Sequence, residues 1–332
     1  KNEQLPLKFV MEKLSPFLLS EEKEKIGQNI KYDISVFREN GFEVKGTIFD
    51  TMLASYLLFS NRTSHGLDHL AEEFFGISTI KYVDICGKGV KQISFSEVSI
   101  EDATQYASQD ADITFRLAEN MKEQLKEDQL DELFSDLEIP LLKILLDMET
   151  TGIRLDVSLL NKMSSKLEVE LERMTKKIYE LAEEEFNINS TVQLRRILFE
   201  NLNLPIIKKT KTGASTDIDT LEKLAHLHEL PNIILQYRQL TKLKNTYVDA
   251  LPRLVYKKTG RIHTHFNQTI TATGRLSSSI PNLQNIPIRS DLGKEIRSAF
   301  IPKEGWSVFA CDYSQIELRV LAHFTLDPSL ID

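Results

Sequence analysis

Cysteine is nearly absent. The 332 residues hold two, Cys86 and Cys311, with no Cys-x-x-Cys spacing, which argues against a disulfide framework or a zinc site. Long hydrophobic runs are missing too, and none approaches the ~18 residues that a membrane-crossing helix takes. No signal peptide opens the chain, so nothing points to a membrane, and a reducing cytoplasm is the expected setting. There is no initiator Met, and Leu5 to Leu19 enters a helical pattern at once. The chain is therefore expected to be a fragment of a longer protein.

One absence is local. Ala250 to Ser290 contains no carboxylate, yet carries Arg253, Lys257, Lys258, Arg261, Arg275 and Arg289. The net charge of −8 conceals an uneven distribution: Asn189 to Phe300 has 17 basic against 8 acidic residues, and the remainder has 24 against 41. An acidic chain with a long acid-free basic stretch fits a polyanion site confined to one region. A merely solvated basic loop would not explain the missing acids.

The length allows about two domains with sizeable cores, and 41% hydrophobic with 27% charged residues is ordinary for a globular protein. Lys1 to about Phe134 reads as mixed α/β. Helical patterns are predicted over Ile26–Phe37, Thr51–Phe59, Leu67–Phe75 and Glu101–Leu125. Asn29 and Asp33 stand at i, i+4, as do Tyr106 and Asp110, which puts both members of the second pair on one helix face. Carboxylates on different elements can share metal ions while a tyrosine orients a water for phosphodiester hydrolysis. Exposed helical aspartates are the plainer reading of the same spacing. Asp50 reads as structural, and His65 with His69 as surface or capping residues.

Leu137–Met148 is an apolar helix at a domain junction, broken by Gly152. Val157–Phe186 is expected to be the longest helix. Its Leu160, Leu167, Leu171, Met174, Ile178 and Leu181 trace the seam of a helical hairpin, with a coiled-coil dimer as the rival. Ser190-Thr191-Val192-Gln193 has a capping-box form whose free N–H groups could hold a phosphate. Lys208 to Ser215 is a basic tip, either mobile until it meets DNA or simply solvated. In the helix predicted over Pro231–Leu251, Ile233, Leu240, Leu243 and Tyr247 face a core. Arg238, Lys242 and Asn245 line another face that suits a phosphate backbone. Arg261–Leu276 alternates as strands, and Gly274 permits a turn beside Arg275. Arg275, Gln284 and Asn285 can donate to the acceptors that every base pair shows in the minor groove. Asn282, Gln284 and Asn285 can equally well make turns.

Ser307–Tyr313 reads as a buried strand with Cys311 in the core. From Ser314 the period turns helical, with Ile316, Val320 and Phe324 on one face and Arg319 and His323 on another. The strand thus delivers Asp312 at its carboxyl end. A charge there needs a partner or a metal, and the Tyr313 carbonyl is a second hard oxygen of the kind Mg²⁺ accepts. The alternative is a solvated strand end, with Ser314-Gln315-Ile316-Glu317 closing the helix start as a capping box.

DYSQIELR (Asp312 to Arg319) resembles the first palm motif of family A DNA polymerases, the DNA polymerase I type. TATGRLSS (Thr271 to Ser278) and PNLQNIP (Pro281 to Pro287) resemble that family's primer-template motifs. Asn29-x-x-x-Asp33 and Tyr106-x-x-x-Asp110 resemble the second and third motifs of DEDDy-type 3′–5′ exonucleases. Gly152–Leu230 resembles the thumb, and the resemblance covers essentially the whole chain. It implies an α/β and α+β multidomain fold: a ribonuclease H-like exonuclease domain, truncated at its N-terminus, over 1–134; a helical thumb with connecting helices over 135–260; and the start of a palm with antiparallel sheet over 261–332. It also implies template-directed DNA synthesis in replication and repair, with 3′–5′ proofreading in the intact protein. Two-metal Mg²⁺ sites (Mn²⁺ as an alternative), primer-template DNA and deoxynucleoside triphosphates come with it. So do a monomeric state, no membrane, and a cytoplasmic, nucleoid-associated place if the source is bacterial.

By the same resemblance, Asp312, Glu317 and Arg275 form the catalytic set. Asp312 and the Tyr313 carbonyl hold metal, and the backbone of Ser314, Gln315 and Ile316 lies near the triphosphate. Glu317 crowds the sugar 2′ position and favours deoxyribose. Thr273, Arg275, Asn282, Gln284 and Asn285 contact the primer-template end, and Ser190, Thr191, Lys208, Lys211, Arg238, Lys242 and Asn245 contact DNA elsewhere. Asp33, Tyr106 and Asp110 serve the exonuclease, with Asp33 and Asp110 as metal ligands. Its first motif is expected before Lys1, and the second palm Asp and the triphosphate-holding helix after Asp332, so residues 1–332 alone are expected to be inactive. Two rivals remain. A nuclease with a DNA-gripping helical domain would lose activity in Asp33→Ala and Asp110→Ala but not in Asp312→Ala. A non-catalytic DNA-binding protein would show only salt-sensitive binding.

Overall fold

The computed structural model describes residues 4–211 and 213–331. The first part of the chain forms α1 (Leu7–Leu18), β1 (Lys25–Gly27), α2 (Ile30–Glu39), β2 (Ile48–Asp50), α3 (Thr51–Leu58), α4 (Leu67–Phe75), α5 (Tyr82–Cys86), α6 (Ile100–Glu127), α7 (Asp131–Leu133) and α8 (Ile139–Thr151). There follow β3 (Ile153–Leu155), α9 (Val157–Ala182), α10 (Thr191–Arg195), β4 (Lys209–Thr210), β5 (Gly213–Ala214), α11 (Ile218–Leu224), α12 (Glu229–Leu243) and α13 (Ala250–Arg253). The last elements are β6 (Arg261–Ile262), β7 (His265–Asn267), β8 (Ser277–Ser279), α14 (Asp291–Ser298), β9 (Phe300–Ile301), α15 (Ile316–Thr325) and α16 (Pro328–Ile331). The chain divides into two compact units, Lys1–Gly152 with His263–Ile286, and Ile153–Ile262 with Pro287–Asp332.

In the first unit β1 and β2 pair in parallel, Lys25 with Ile48 through Gly27 with Asp50. Ile30 and Ile34 of α2, Leu53 of α3, Leu70 of α4, Leu117 and Met121 of α6 and Leu142 of α8 close one core. At 28 residues α6 is longer than α9, which has 26. The order is the reverse of that expected, because α9 stops at Glu183 in the left-handed region, φ 57°, before reaching Phe186. The β7–β8 hairpin belongs to this unit. Its Phe266 N–H donates to Glu149 Oε1 at 2.7 Å, and Gln268 Nε2 to Glu138 Oε2 at 2.6 Å.

Asp50 explains how two helices start side by side. Its Oδ1 accepts from the N–H groups of Met52 (2.8 Å), Leu53 (3.2 Å) and Asn29 (3.2 Å), and its Oδ2 from that of Ile30 (2.8 Å). It therefore satisfies donors at the starts of both α2 and α3. Burial pushes its carboxyl up to about 6 against the pull of those four bonds. Asp50→Ala leaves the four donors without this acceptor and is expected to destabilise the unit by about 2–4 kcal/mol, read by urea unfolding. His65 departs from the surface role expected of it. It is buried, its Nδ1 lies 2.8 Å from Ser55 Oγ, and its ring meets Tyr56 edge-on. His69 is exposed, with Nε2 3.8 Å from Glu73.

In the second unit β3 lies between β6 and β9, antiparallel to both. The seam of α9 packs on α12 within the chain. Leu160, Leu167 and Ile178 are buried, and Leu171, Met174 and Leu181 half-buried. Ile178, Leu194, Ile197, Leu221, Leu230 and Ile234 form this unit's core. The capping box expected at Ser190 is only half made: Ser190 Oγ accepts from Gln193 N–H, but Gln193 Oε1 turns to Asn187 N–H at 2.7 Å. The basic tip is a short β4–β5 hairpin, with Thr212 outside the described residues.

The strand expected over Ser307–Tyr313 does not form. The segment is irregular and exposed, Phe309 is 87% accessible, and Cys311 faces solvent instead of the core. A strand is stable only when its N–H and C=O groups find a neighbour, and none of the sheets among the described residues includes this segment. The capping box at Ser314 also fails, because Gln315, at φ 51°, is the N-cap of α15 and makes no side-chain cap bond.

Candidate active sites

A cavity of about 770 Å³ in the first unit is lined by Gln28, Asp33, Tyr106, Asp110 and Thr114, among others. α2 brings Asp33 to it, and α6 brings Tyr106 and Asp110 from successive turns of one face, as their spacing requires. Asn29 goes elsewhere. It is the left-handed N-cap of α2, φ 55°, and lines a separate cavity of about 240 Å³ with Lys31 and Glu149. The Asn29–Asp33 spacing therefore does not describe one helical face.

The pocket is acidic and partly shielded from water, with Asp110 half-buried and Asp33 at its exposed edge. Burial raises the pKa of Asp33 against its own backbone hydrogen bond. Burial and the charge of Asp68 raise that of Asp110, while a hydrogen bond from the Tyr106 hydroxyl pulls it down. Tyr106 is pushed up to about 12, by burial and then by Asp110, and so keeps its O–H proton at neutral pH. Two carboxylates whose charged forms are disfavoured by burial would both be relieved by a cation. Hard oxygen donors of this kind fit a divalent ion, although no three metal-type side chains cluster among the described residues. Gln28 and Asp68 were missed from sequence. Gln28 precedes Asn29 directly, whereas nothing in the spacing of Asp68 places it near Asp110.

The Thr271–Arg275 turn presents Thr273 and Arg275 at the surface of the same unit, with Gly274 at φ 75°. Beyond it the side chains hold the loop together. Gln284 Oε1 accepts from Ser278 N–H at 2.9 Å, Gln284 Nε2 donates to Leu276 O at 3.1 Å, and Asn282 Oδ1 accepts from Gln284 N–H at 3.1 Å. Gln284 and Asn282 thus do the turn-making work that was the alternative reading, while Asn285 is exposed.

In the second unit Arg238 stands one turn before Lys242 on α12. It is half-buried and donates to Thr216 O at 2.6 Å, and Lys208 pairs with Asp217 at 2.7 Å. Both cations grip the start of α11, whereas Thr191, Lys211, Lys242 and Asn245 are exposed. Asp312, Tyr313 and Ser314 stand exposed ahead of α15, with Glu317 in its first turn. Arg319 Nε donates to Ser314 O at 2.9 Å and fixes that entry. One carboxylate with an adjacent main-chain carbonyl meets the least that Mg²⁺ asks of a protein.

Residues 157–332 match the DNA polymerase family A model, and residues 2–126 match the 3′-5′ exonuclease model. The chain belongs to DNA polymerase family A. DNA polymerase I of Pseudomonas aeruginosa is 44% identical over 335 residues, which take in 99% of this chain and 37% of that protein. The thermostable DNA polymerase I of Thermus thermophilus is 53% identical over 231 residues, 69% of this chain and 28% of that protein. Among solved structures, the POL domain of Pol1 from M. smegmatis, in complex with DNA primer-template and dNTP, superposes with a TM-score of 0.82 at 32% identity. That match covers 100% of this chain and 55% of that one. The chain spans about a third of the length of the curated relatives it matches. The α/β and α+β multidomain class expected from the sequence holds. No helix among the described residues is long and apolar enough to cross a membrane.

Proposed function

We propose that the protein carrying this chain is a template-directed 5′–3′ DNA polymerase with a 3′–5′ proofreading unit. The observation that carries the reading is the family A match over 157–332, which includes Asp312 at the entrance to α15. Residues 1–134 are assigned to the exonuclease domain, 135–260 to the thumb, and 261–332 to the start of the palm. Primer-template DNA and deoxynucleoside triphosphates are the partners, and the protein works as a monomer in the cytoplasm, at the nucleoid if bacterial. The basic surplus between Asn189 and Phe300 supplies the sequence-independent attraction to phosphate.

In the proofreading unit Asp33 and Asp110 would hold Mg²⁺ or Mn²⁺. Tyr106, protonated at neutral pH, donates a hydrogen bond to Asp110 and would orient an attacking water. In the palm, Asp312 and the Tyr313 carbonyl would hold Mg²⁺, and Glu317 would stand against the sugar 2′ position. When bound, such ions supply Lewis-acid stabilisation of the charge that develops during phosphoryl transfer. Arg275 and Asn285, exposed on their loop, would reach the acceptors shared by all base pairs and so sense pair shape without identity.

The test offers nucleotides one at a time to the protein on a labelled primer-template with Mg²⁺. Addition of only the nucleotide complementary to the template base is expected. Addition without regard to the template, or none by any form of the protein, would overturn the reading.

A further inference from the structure

The Tyr56 hydroxyl occupies an unusual place. Tyr56 comes from α3 in the exonuclease-matching part of the chain and is 4% accessible. Its hydroxyl donates to Thr271 O at 2.7 Å and accepts from Gly274 N–H at 3.1 Å. In a closed four-residue turn these two main-chain groups, C=O of the first residue and N–H of the fourth, bond to each other. Here the phenol stands between them and completes an open turn from outside. Thr271 Oγ1 then donates to Arg275 O at 2.5 Å and fixes the next residue. Beneath, the Tyr56 ring meets His65 edge-on, 5.8 Å between centroids. The His65 carbonyl accepts from Gln28 Nε2 at 2.7 Å, and Gln28 lines the Asp33–Asp110 cavity.

From this geometry we infer that Tyr56 is a positioning residue for primer-template binding, acting through Arg275. The inference rests on the function proposed above. Without the hydroxyl, the turn either leaves Thr271 O and Gly274 N–H unpaired or closes on itself, and in both cases the backbone that aims Thr273 and Arg275 shifts. A side chain of the exonuclease-matching part then contributes to the grip on DNA whether or not that part cuts.

The experiment measures binding of a labelled primer-template by fluorescence anisotropy, together with steady-state extension, for the whole protein and four variants: Tyr56→Phe, Gly274→Ala, Arg275→Ala and Tyr56→Phe/Arg275→Ala. Tyr56→Phe is expected to weaken binding by about 3–10-fold, the size of one or two lost hydrogen bonds, and to shift extension in the same direction as Arg275→Ala but by less. In Arg275→Ala the same substitution should add little. Gly274→Ala approaches the turn from its other side. An added Cβ meets nothing within 4 Å but is strained at φ +75°, and the same phenotype is expected. Tight binding in both Tyr56→Phe and Gly274→Ala, with Arg275→Ala weakened, overturns this inference alone. So does full additivity of Tyr56→Phe with Arg275→Ala. Primer-template binding that is indifferent to Arg275→Ala overturns the Arg275 assignment and this inference with it.

Discussion

Asp312→Ala lowers primer extension by about 10³-fold or more while leaving primer-template binding and the unfolding temperature nearly unchanged. The size follows from the role proposed for Asp312. A metal-holding carboxylate underlies several kcal/mol of charge stabilisation in phosphoryl transfer, and each ~1.4 kcal/mol is a factor of ten in rate. Selectivity follows from the structure. Asp312 is exposed in an irregular segment, so removing it leaves no core cavity and no orphaned buried group, the usual sources of large destabilisation. Asp312→Asn keeps the size and loses the charge, and the same fall is expected. Primer extension at the parental rate in either variant would remove Asp312 from the reaction.

Asp110→Asn and Asp33→Asn lower nucleotide-independent shortening of single-stranded DNA by about 10²–10³-fold, by the same arithmetic, and raise the stability of the first unit at neutral pH. The second effect follows from linkage. Both carboxyls have pKa values raised from 3.8 by burial, so the folded state holds these protons more tightly than the unfolded state. Stability then falls as pH rises from 3.8 through the folded values, and above them the penalty is constant. An amide has no such penalty. Shortening should rise with pH over the same interval, because only the ionised carboxylates take a cation. Tyr106, at about 12, imposes no alkaline fall below roughly pH 11. Thermal melts and shortening rates from pH 4 to 9 test both halves. Loss of stability in the asparagine variants, at unchanged activity, would make these residues structural.

What could be read without coordinates was what repeats along one element. Tyr106 and Asp110 share a face because α6 is unbroken, and the seam of α9 is legible for the same reason. Asn29 was not legible, since a single left-handed cap between β1 and α2 ends the helical count. The apolar run from Ser307 has the composition of a buried strand, but pairing requires a neighbour, and composition cannot show one. The bond from Arg238 to the Thr216 carbonyl was not legible either, because side-chain patterns never display a main-chain acceptor. The Tyr56 hydroxyl meets its turn 215 residues along the chain, beyond any periodicity.

The most direct test of the account follows the length of one labelled primer, annealed to a template in Mg²⁺ with the whole protein, in the presence and absence of the four deoxynucleotides. Lengthening with nucleotides, abolished by Asp312→Ala, and shortening without them, abolished by Asp110→Ala, is the predicted result. Lengthening that survives Asp312→Ala would contradict it.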